Sequence, residues 1–373
     1  MDQTSSPWIF QLCHGYTGPF LDCARQYAVL FKDSPYKVCT VYLTGAPDED
    51  VRLASASDDV VFLDYSSRQI RGLKLGAIRQ FRELVARNGH VQFVIAHRFK
   101  PIYIALLSSK LPVIGVHHAF GVYQRRTRQW FINRFKQRLT LLAVSNAVRD
   151  EIRRHLNSWP AQRIETLYNR IDVAAVRAEQ CPRAEARQQL GLPQQTWIVG
   201  NVGRLHPDKD QATLIRGFAK ALPHLPADSL LAIMGSGKLE PALKKLANEL
   251  GITDKVRFLG QVPQGRRYFR AFDLFALTSD HEPFGMVLLE AMAAGLPLIC
   301  SDCGGGREVV QQCGRLFPLG DSDALARELV TMNRTPGEDA QKIEQELTEK
   351  FSDDAVKKVF WRDILKGEMA EIL

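Results

Sequence analysis

Two carboxylates lie in the run His281-Glu282-Pro283-Phe284-Gly285-Met286-Val287-Leu288-Leu289-Glu290-Ala291-Met292-Ala293-Ala294-Gly295. From Phe284 to Ala294 every residue except Gly285 and Glu290 is apolar, so the segment reads as a helix buried on most of its circumference. A carboxylate in such a helix is costly unless something hydrogen-bonds to it. The first turn, at Pro283-Phe284-Gly285, leaves backbone N–H groups unpaired, which suits an anion. One acid just before that turn and one about two turns inside suit a phosphate flanked by hydroxyl-rich groups, the layout of a nucleotide sugar. A capping Glu282 with an internally paired Glu290 is an equal alternative for the two acids alone.

More chemistry gathers on neighbouring strand-to-helix loops. Arg204 and Lys209 share one loop, where two fixed cations can hold a diphosphate and stabilise it as a leaving group; two solvated surface cations are the plainer reading. Gly235-Ser236-Gly237 forms a glycine turn after a strand, and Gly304-Gly305-Gly306 another that leads into a helix. His117-His118 and His97 end two strands of the first half, and His14-Gly15-Tyr16-Thr17-Gly18 follows its first strand. Three Asp-x-Asp triplets, at 48–50, 208–210 and 321–323, are read as a polar loop, a lysine-bearing turn and a helix cap, and no metal is expected. Cys300 and Cys303 lack a second pair for zinc and are read as buried residues at a strand end.

The elements that must position these residues alternate between strand and helix along the whole chain. Strands are expected at 8–13, 37–43, 60–63, 91–96, 113–116, 141–144 and 164–167, then at 197–202, 229–234, 256–259, 274–277, 296–300 and 315–318. Helices are expected at 19–32, 68–88, 147–156, 212–222, 239–250, 284–294, 322–332 and 337–351. The class is therefore α/β, with two doubly wound Rossmann-like domains whose ligands belong at the carboxyl ends of the strands, in the cleft between them. The boundaries read as 1–172 for a first, acceptor-binding domain, 173–195 for a linker and 196–350 for a second, nucleotide-sugar-binding domain. Residues 351–373 read as a terminal helix packing back toward the first.

The chain of 373 residues has 45% hydrophobic and 24% charged residues, as expected of a soluble globular protein. No apolar run is long enough to span a bilayer, and the first residues lack a basic leader. Seven scattered cysteines fit a reducing compartment, so a cytoplasmic location is expected. Charge is uneven: residues 1–172 carry a net +10 and the rest −2. Arg125 to Arg138 holds six cations, three aromatics and no acid. Such a stretch reads either as a solvated helix face with a core stripe or as a peripheral contact with an anionic membrane. No nucleic-acid motif is visible.

The order Gly203-Arg204-Leu205 with Lys209, Gly235-Ser236-Gly237, Val256 to Val262, Ser279 to Pro297 and Gly304-Gly305 resembles the retaining glycosyltransferases of family 4, which have the GT-B fold. The resemblance runs from about Asn201 to Leu325 and more weakly over the first half. It implies that Glu290 binds the ribose and that Glu282, with the backbone of Phe284, Gly285 and Met286, holds the donor sugar and distal phosphate. Arg204 and Lys209 would neutralise the diphosphate and the backbone at Val262 would meet the base. A loop at Gly15 and Gly18 would close over the phosphates, although Phe20 stands where an acid is common. His117 would contact the sugar near its reacting carbon, ahead of His118 and His97. The resemblance implies a cosubstrate, a UDP-hexose, and no cofactor or metal. The expected acceptor is an anionic saccharide or lipid-linked molecule, since the chain is similar to core-assembling lipopolysaccharide glycosyltransferases of Gram-negative bacteria. A nucleotide-sugar epimerase of the same fold is the alternative enzyme, and a non-catalytic anion- or membrane-binding protein the alternative outside enzymes.

Overall fold

The computed structural model describes residues 6–335, 337 and 339–368. The residues in which a leader was sought and the end of the last expected helix lie partly outside them. Two compact units form. One comprises the residues up to Asn169 and those from Val356 onward, the other Arg170–Ala355.

The first unit is built on seven parallel strands: β1 (Trp8–Cys13), β2 (Lys37–Tyr42), β3 (Asp59–Phe62), β4 (Val91–His97), β5 (Val113–His117), β6 (Leu139–Ala143) and β7 (Ile164–Thr166). Their spatial order is β3-β2-β1-β4-β5-β6-β7. Apolar runs such as those of β5 and β6 are buried at every position, as strands covered on both faces must be. The register pairs Ile9 with Val38 on one side and with Phe93 on the other. The core joins Ile9, Phe31, Phe93 and Ile114 to Val356, Phe360, Ile364 and Leu365 from the chain end. Trp361 Nε1 donates to the Leu30 carbonyl at 2.8 Å, which fixes that returning segment. Each large apolar side chain so buried contributes about 1.5–3 kcal/mol.

The second unit has six parallel strands: β8 (Ile198–Val202), β9 (Leu230–Met234), β10 (Val256–Gly260), β11 (Leu274–Leu277), β12 (Leu298–Ser301) and β13 (Arg315–Phe317). Their order is β10-β9-β8-β11-β12-β13. Both sheets reverse their order once, between β1 and β4 and between β8 and β11, and at such a reversal a crevice opens outside the carboxyl ends of the strands.

Several boundaries differ from the sequence reading. Residues 173–195 are no linker: Val173–Glu179 and Arg183–Gln189 are helices within the second unit. Arg187 holds them there. It is fully buried, donates to the carbonyls of Ala271, Pro193 and Gln194, and pairs with Asp273 at 2.8 Å. The helix expected at 68–88 spans Leu75–Arg87 only, because Gly72 and Lys74 take positive φ and break it. The helix Phe99–Ser108 escaped detection because it is apolar nearly all round and so shows no amphipathic period. The triplet at 48–50 starts the helix Glu49–Ala54 rather than a loop, with the Asp48 carboxylate accepting from Val51 N.

Candidate functional site

In the second unit the loops after β8 and β11 flank the reversal, and they are tied to each other. Thr278 Oγ1 donates to the carbonyls of Lys209 and Asp210 at 3.0 and 2.9 Å, and Asp280 N donates to the Asp208 carbonyl at 3.1 Å. Lys209 Nζ donates to Glu282 Oε2 at 2.6 Å. The Glu282 side chain is 11% exposed and that of Lys209 18%, so the pair is largely shielded from water. Arg204 lies on the same loop as Lys209, but its side chain is 73% exposed and stands 3.5 Å from Asp208. Lys209 and Glu282 are therefore brought together, and Arg204 stays at the rim.

The helix after Glu282 spans Met286–Ala293, two residues later than expected at its start. Gly285 has φ of +95° and forms the N-cap, so the chain turns before the helix begins. Phe284 is a core residue, its ring 5.8 Å from that of Phe351. The glycine run 304–306 lies against this turn. Gly305 N donates to the Glu282 carbonyl at 2.8 Å, and a Cβ on Gly305 would lie 2.2 Å from the Pro283 carbonyl oxygen. The run is glycine because backbone packs on backbone there.

A cavity of about 880 Å³ opens at the same sheet edge. Glu290, Val262, Gly203, Met234, Gly235, Gln264 and Arg267 are among the residues lining it. Gly203 N donates to the Met234 carbonyl and Gly235 N to the Gly260 carbonyl, which aligns the three strand ends that form its floor. Its outer wall is Ala178 to Pro182, from the segment read as a linker. That wall is fastened by a two-pronged contact of Arg266 with Glu179, 2.7 Å on each prong, and by Gln180 Nε2 donating to the Arg266 carbonyl. Neither Arg267 nor Glu179 gave a signal in the sequence, since both lie in stretches without a recognisable spacing. Glu282, Lys209, Arg204, Phe284, Gly285 and Met286 are not among the residues lining this cavity.

The first unit carries a second, smaller cavity of about 310 Å³, also where its strand order reverses. His14 follows β1, Arg98 and Lys100 follow β4, His117 ends β5 and His118 follows it; all five line it, with Arg128. His117 is 1% exposed, and its Nε2 lies 2.9 Å from the Tyr123 hydroxyl. Burial, then the neighbouring His118 and Arg128, lowers its pKa to about 3, so the ring is neutral near pH 7. Burial and then Arg98 lower that of His118 to about 4.

His97 joins two side chains of the first unit. Gln11 Nε2 donates to Ala24 O and Thr40 Oγ1, so Gln11 Oε1 is left to accept from His97 Nε2 at 3.3 Å. His97 Nδ1 lies 3.0 Å from His118 Nε2, and His118 Nδ1 3.8 Å from the Cys23 sulfur. His97 and His118 are thus parts of one partly buried chain, and His117 stands apart with Tyr123. Gly15 and Gly18 line neither cavity: a Cβ on Gly15 would lie 2.6 Å from Thr44 Oγ1, and the loop is pinned where the Tyr16 hydroxyl donates to Ala46 O.

Among the described residues no group of three or more His, Cys, Asp or Glu side chains could hold a metal ion, and no helix is long and apolar enough to cross a membrane. Cys300 is buried, while the partly exposed Cys303 donates its thiol to the Ser279 carbonyl at 3.0 Å. Asp321 caps the helix Ser322–Arg334 and Asp210 the helix Gln211–Ala221.

Two parallel-sheet units with their loops at the points of reversal define a pair of Rossmann-like domains. The family model "Glycosyl transferases group 1" matches residues 182–349, and "Glycosyltransferase Family 4" matches residues 35–175. The chain belongs to the GT-B glycosyltransferases, with a family 4 domain followed by a group 1 domain. It is 42% identical over 131 residues to a D-inositol 3-phosphate glycosyltransferase of Nocardia farcinica, covering 33% of this chain and 29% of that one. It is 31% identical over 175 residues to the lipopolysaccharide core biosynthesis glycosyltransferase LpsE of Rhizobium meliloti, covering 46% of this chain and 50% of that one. These matches span half or less of either relative's length. The crystal structure of Anabaena HepE in complex with UDP and glucose superposes with a TM-score of 0.73 at 21% identity, covering 95% of this chain and 97% of that one. At that identity the likeness speaks for the fold.

Proposed function

We propose that the chain is a retaining glycosyltransferase that moves a hexose from a UDP-sugar to a hydroxyl of an anionic saccharide or lipid-linked acceptor, such as a lipopolysaccharide core. The observation that carries this reading is the meeting of Glu290, Val262 and Gly203 on one cavity, beside the loops that join Lys209 to Glu282. The cavity is large enough for a nucleoside, and a carboxylate on its wall suits the ribose hydroxyls. HepE was solved with UDP and glucose, and LpsE is named for lipopolysaccharide core biosynthesis, which supports the donor and acceptor classes.

In this reading Glu290 grips the ribose and the Val262 backbone meets the base. Lys209, Arg204 and the N–H groups at the start of the helix Met286–Ala293 take the developing charge of the diphosphate, so the reaction needs no metal. Glu282 orients the hexose, with Phe284, Gly285 and Met286 supplying backbone beside it. Gly15 and Gly18 belong to a loop near the phosphates. His117, neutral and held by Tyr123, is assigned to the hexose near its reacting carbon. Glu282 is already committed to Lys209 and is poorly placed to act as a nucleophile, which favours front-face attack. The acceptor oxygen bonds to the anomeric carbon as the bond from that carbon to phosphate breaks. The acceptor proton passes to the departing phosphate. The basic stretch Arg125 to Arg138 makes a peripheral contact with the anionic inner face of the membrane, and nucleic acid is not a partner.

A thermal-shift panel of UDP, GDP and ADP, each with and without its common hexoses, tests the donor. UDP and a UDP-hexose should raise the melting temperature most. Failure of all three nucleotides would overturn the reading, and conversion of the UDP-hexose to an isomer without acceptor would favour an epimerase.

A further inference from the structure

We propose that the first unit carries a two-part site for an anionic amphiphile, its oxyanion in the cavity of Arg98, Lys100 and Arg128 and its apolar chain along an adjoining aromatic groove. The proposal rests on the reading of this unit as the acceptor side and deepens it by naming the chemistry of the acceptor.

The cavity is built for an anion. Arg98, Lys100 and Arg128 line it with three histidines, and no Asp or Glu is among the lining residues. It also receives the start of the ten-residue helix Phe99–Ser108, whose first residues have no side-chain cap. Arg98 precedes that helix with φ of +73°, held by its N–H donating to the Val116 carbonyl at 2.8 Å. The independent sign of a ligand is His117. Its ring is buried on the cavity wall, Nε2 is taken by Tyr123, and Nδ1 has no hydrogen-bond partner among the described residues. A buried polar atom left without a partner in the wall of a cationic recess is matched by a polar ligand that enters it. An anion beside His117 also sets the acceptor next to the residue assigned to the hexose.

The groove explains what such an anion is attached to. It has a volume of about 780 Å³ and is lined by Phe99, Tyr103, Leu107, Trp130, Phe131 and Phe135. Arg126 and Arg134 also line it, and Trp130 is 64% exposed. Phe99 and Arg128 belong to the groove and to the cavity alike. The Arg128 guanidinium lies 4.7 Å from the Phe99 ring centre and donates to the Val122 carbonyl at 3.0 Å, so charge and apolar surface meet at one fixed point. A sugar phosphate would use the recess and leave the aromatic surface bare. A membrane lying flat on the surface would use the aromatics and leave the recess bare. A single molecule with an anionic head and an apolar chain uses both.

Calorimetry on the full chain saturated with UDP tests this, with inorganic phosphate, octyl phosphate and octyl glucoside as probes below their micelle concentrations. Octyl phosphate should bind at least about tenfold more tightly than either of the others. Lys100→Gln should weaken both phosphates about fivefold or more and leave octyl glucoside unchanged. Phe131→Ala should remove most of the advantage of octyl phosphate over inorganic phosphate and leave the latter in place. An unchanged melting temperature in each variant shows that the fold is kept. Equal affinity for the two phosphates would overturn the groove's part, and equal affinity for octyl phosphate and octyl glucoside the cavity's. Tight binding of octyl phosphate to the UDP-free chain that is lost in the UDP-saturated chain would give the recess to the donor diphosphate and overturn the proposal. Failure to bind UDP at all would fall instead on the glycosyltransferase reading.

Discussion

Replacing Glu282 by alanine probes the folding and the chemistry of the second unit together. Lys209 Nζ lies 2.6 Å from Glu282 Oε2, and little of either side chain reaches water. Truncation leaves the ammonium shielded and without its carboxylate. Breaking a buried pair in this way costs about 3–5 kcal/mol, and the residual exposure of Lys209 places this one near about 3. For a unit the size of Arg170–Ala355 that is a fall of roughly 6–12 °C in melting temperature. Adding Lys209→Met to Glu282→Ala removes both charges and should recover most of the loss, giving a coupling of about 2 kcal/mol in a double-mutant cycle. Calorimetric melting of the four proteins without ligand measures the cycle. Turnover of a UDP-hexose should fall by about 100-fold in Glu282→Ala. UDP affinity should change less than about threefold, because Glu282 does not line the cavity of Glu290. An additive cycle, or full turnover in the single mutant, would refute the reasoning.

Two further predictions follow from burial and from close packing. The lowered pKa values of His117, about 3, and His118, about 4, mean that the unfolded chain binds protons that the folded chain refuses as pH falls from about 6.5 to 4. Stability is therefore kept above pH 6.5 and lost through that window, by up to about 1.4 kcal/mol per pH unit for each ring. Urea unfolding of His118→Gln against wild type should show a flatter pH dependence, and equal slopes would count against the assignment. Gly305→Ala forces a Cβ to within 2.2 Å of the Pro283 carbonyl oxygen and 2.7 Å of Phe284 Cα, both backbone atoms. It should destabilise by about 1–3 kcal/mol and lower kcat more than UDP affinity, because the Glu282 turn must move. Unchanged kcat and melting temperature would show that the turn does not depend on this contact.

Much of the fold was legible in the sequence because buried parallel strands are short, apolar and evenly spaced. β1 and β11 fall where the sequence placed them, and the other strands shift by at most two residues at either end. What escaped was written in other terms. The helix Phe99–Ser108 has no polar face to betray it, and the segment 173–195 looked like a linker because its anchor is one arginine, Arg187, whose partners lie far away in sequence. The site was legible in part. The spacing of Lys209 and of Glu282 from their strands pointed to one sheet edge, and the two side chains do meet. That neither lines the cavity of Glu290 was not legible, because the turn at Gly285 delays the start of the helix that carries Glu290. The recess in the first unit was hidden as well, since Arg98 and Lys100, His117, and Arg128 come from three separate stretches of the chain.

The central claim is that the cavity of Glu290 holds a uridine nucleotide by its ribose, and calorimetric titration of UDP into wild type and Glu290→Gln tests it most directly. A hydrogen bond to a charged group contributes about 1.5–3 kcal/mol, so the variant should bind UDP at least about tenfold more weakly while melting near the wild-type temperature. Equal affinity in the two proteins, or no binding of UDP by wild type, would contradict it.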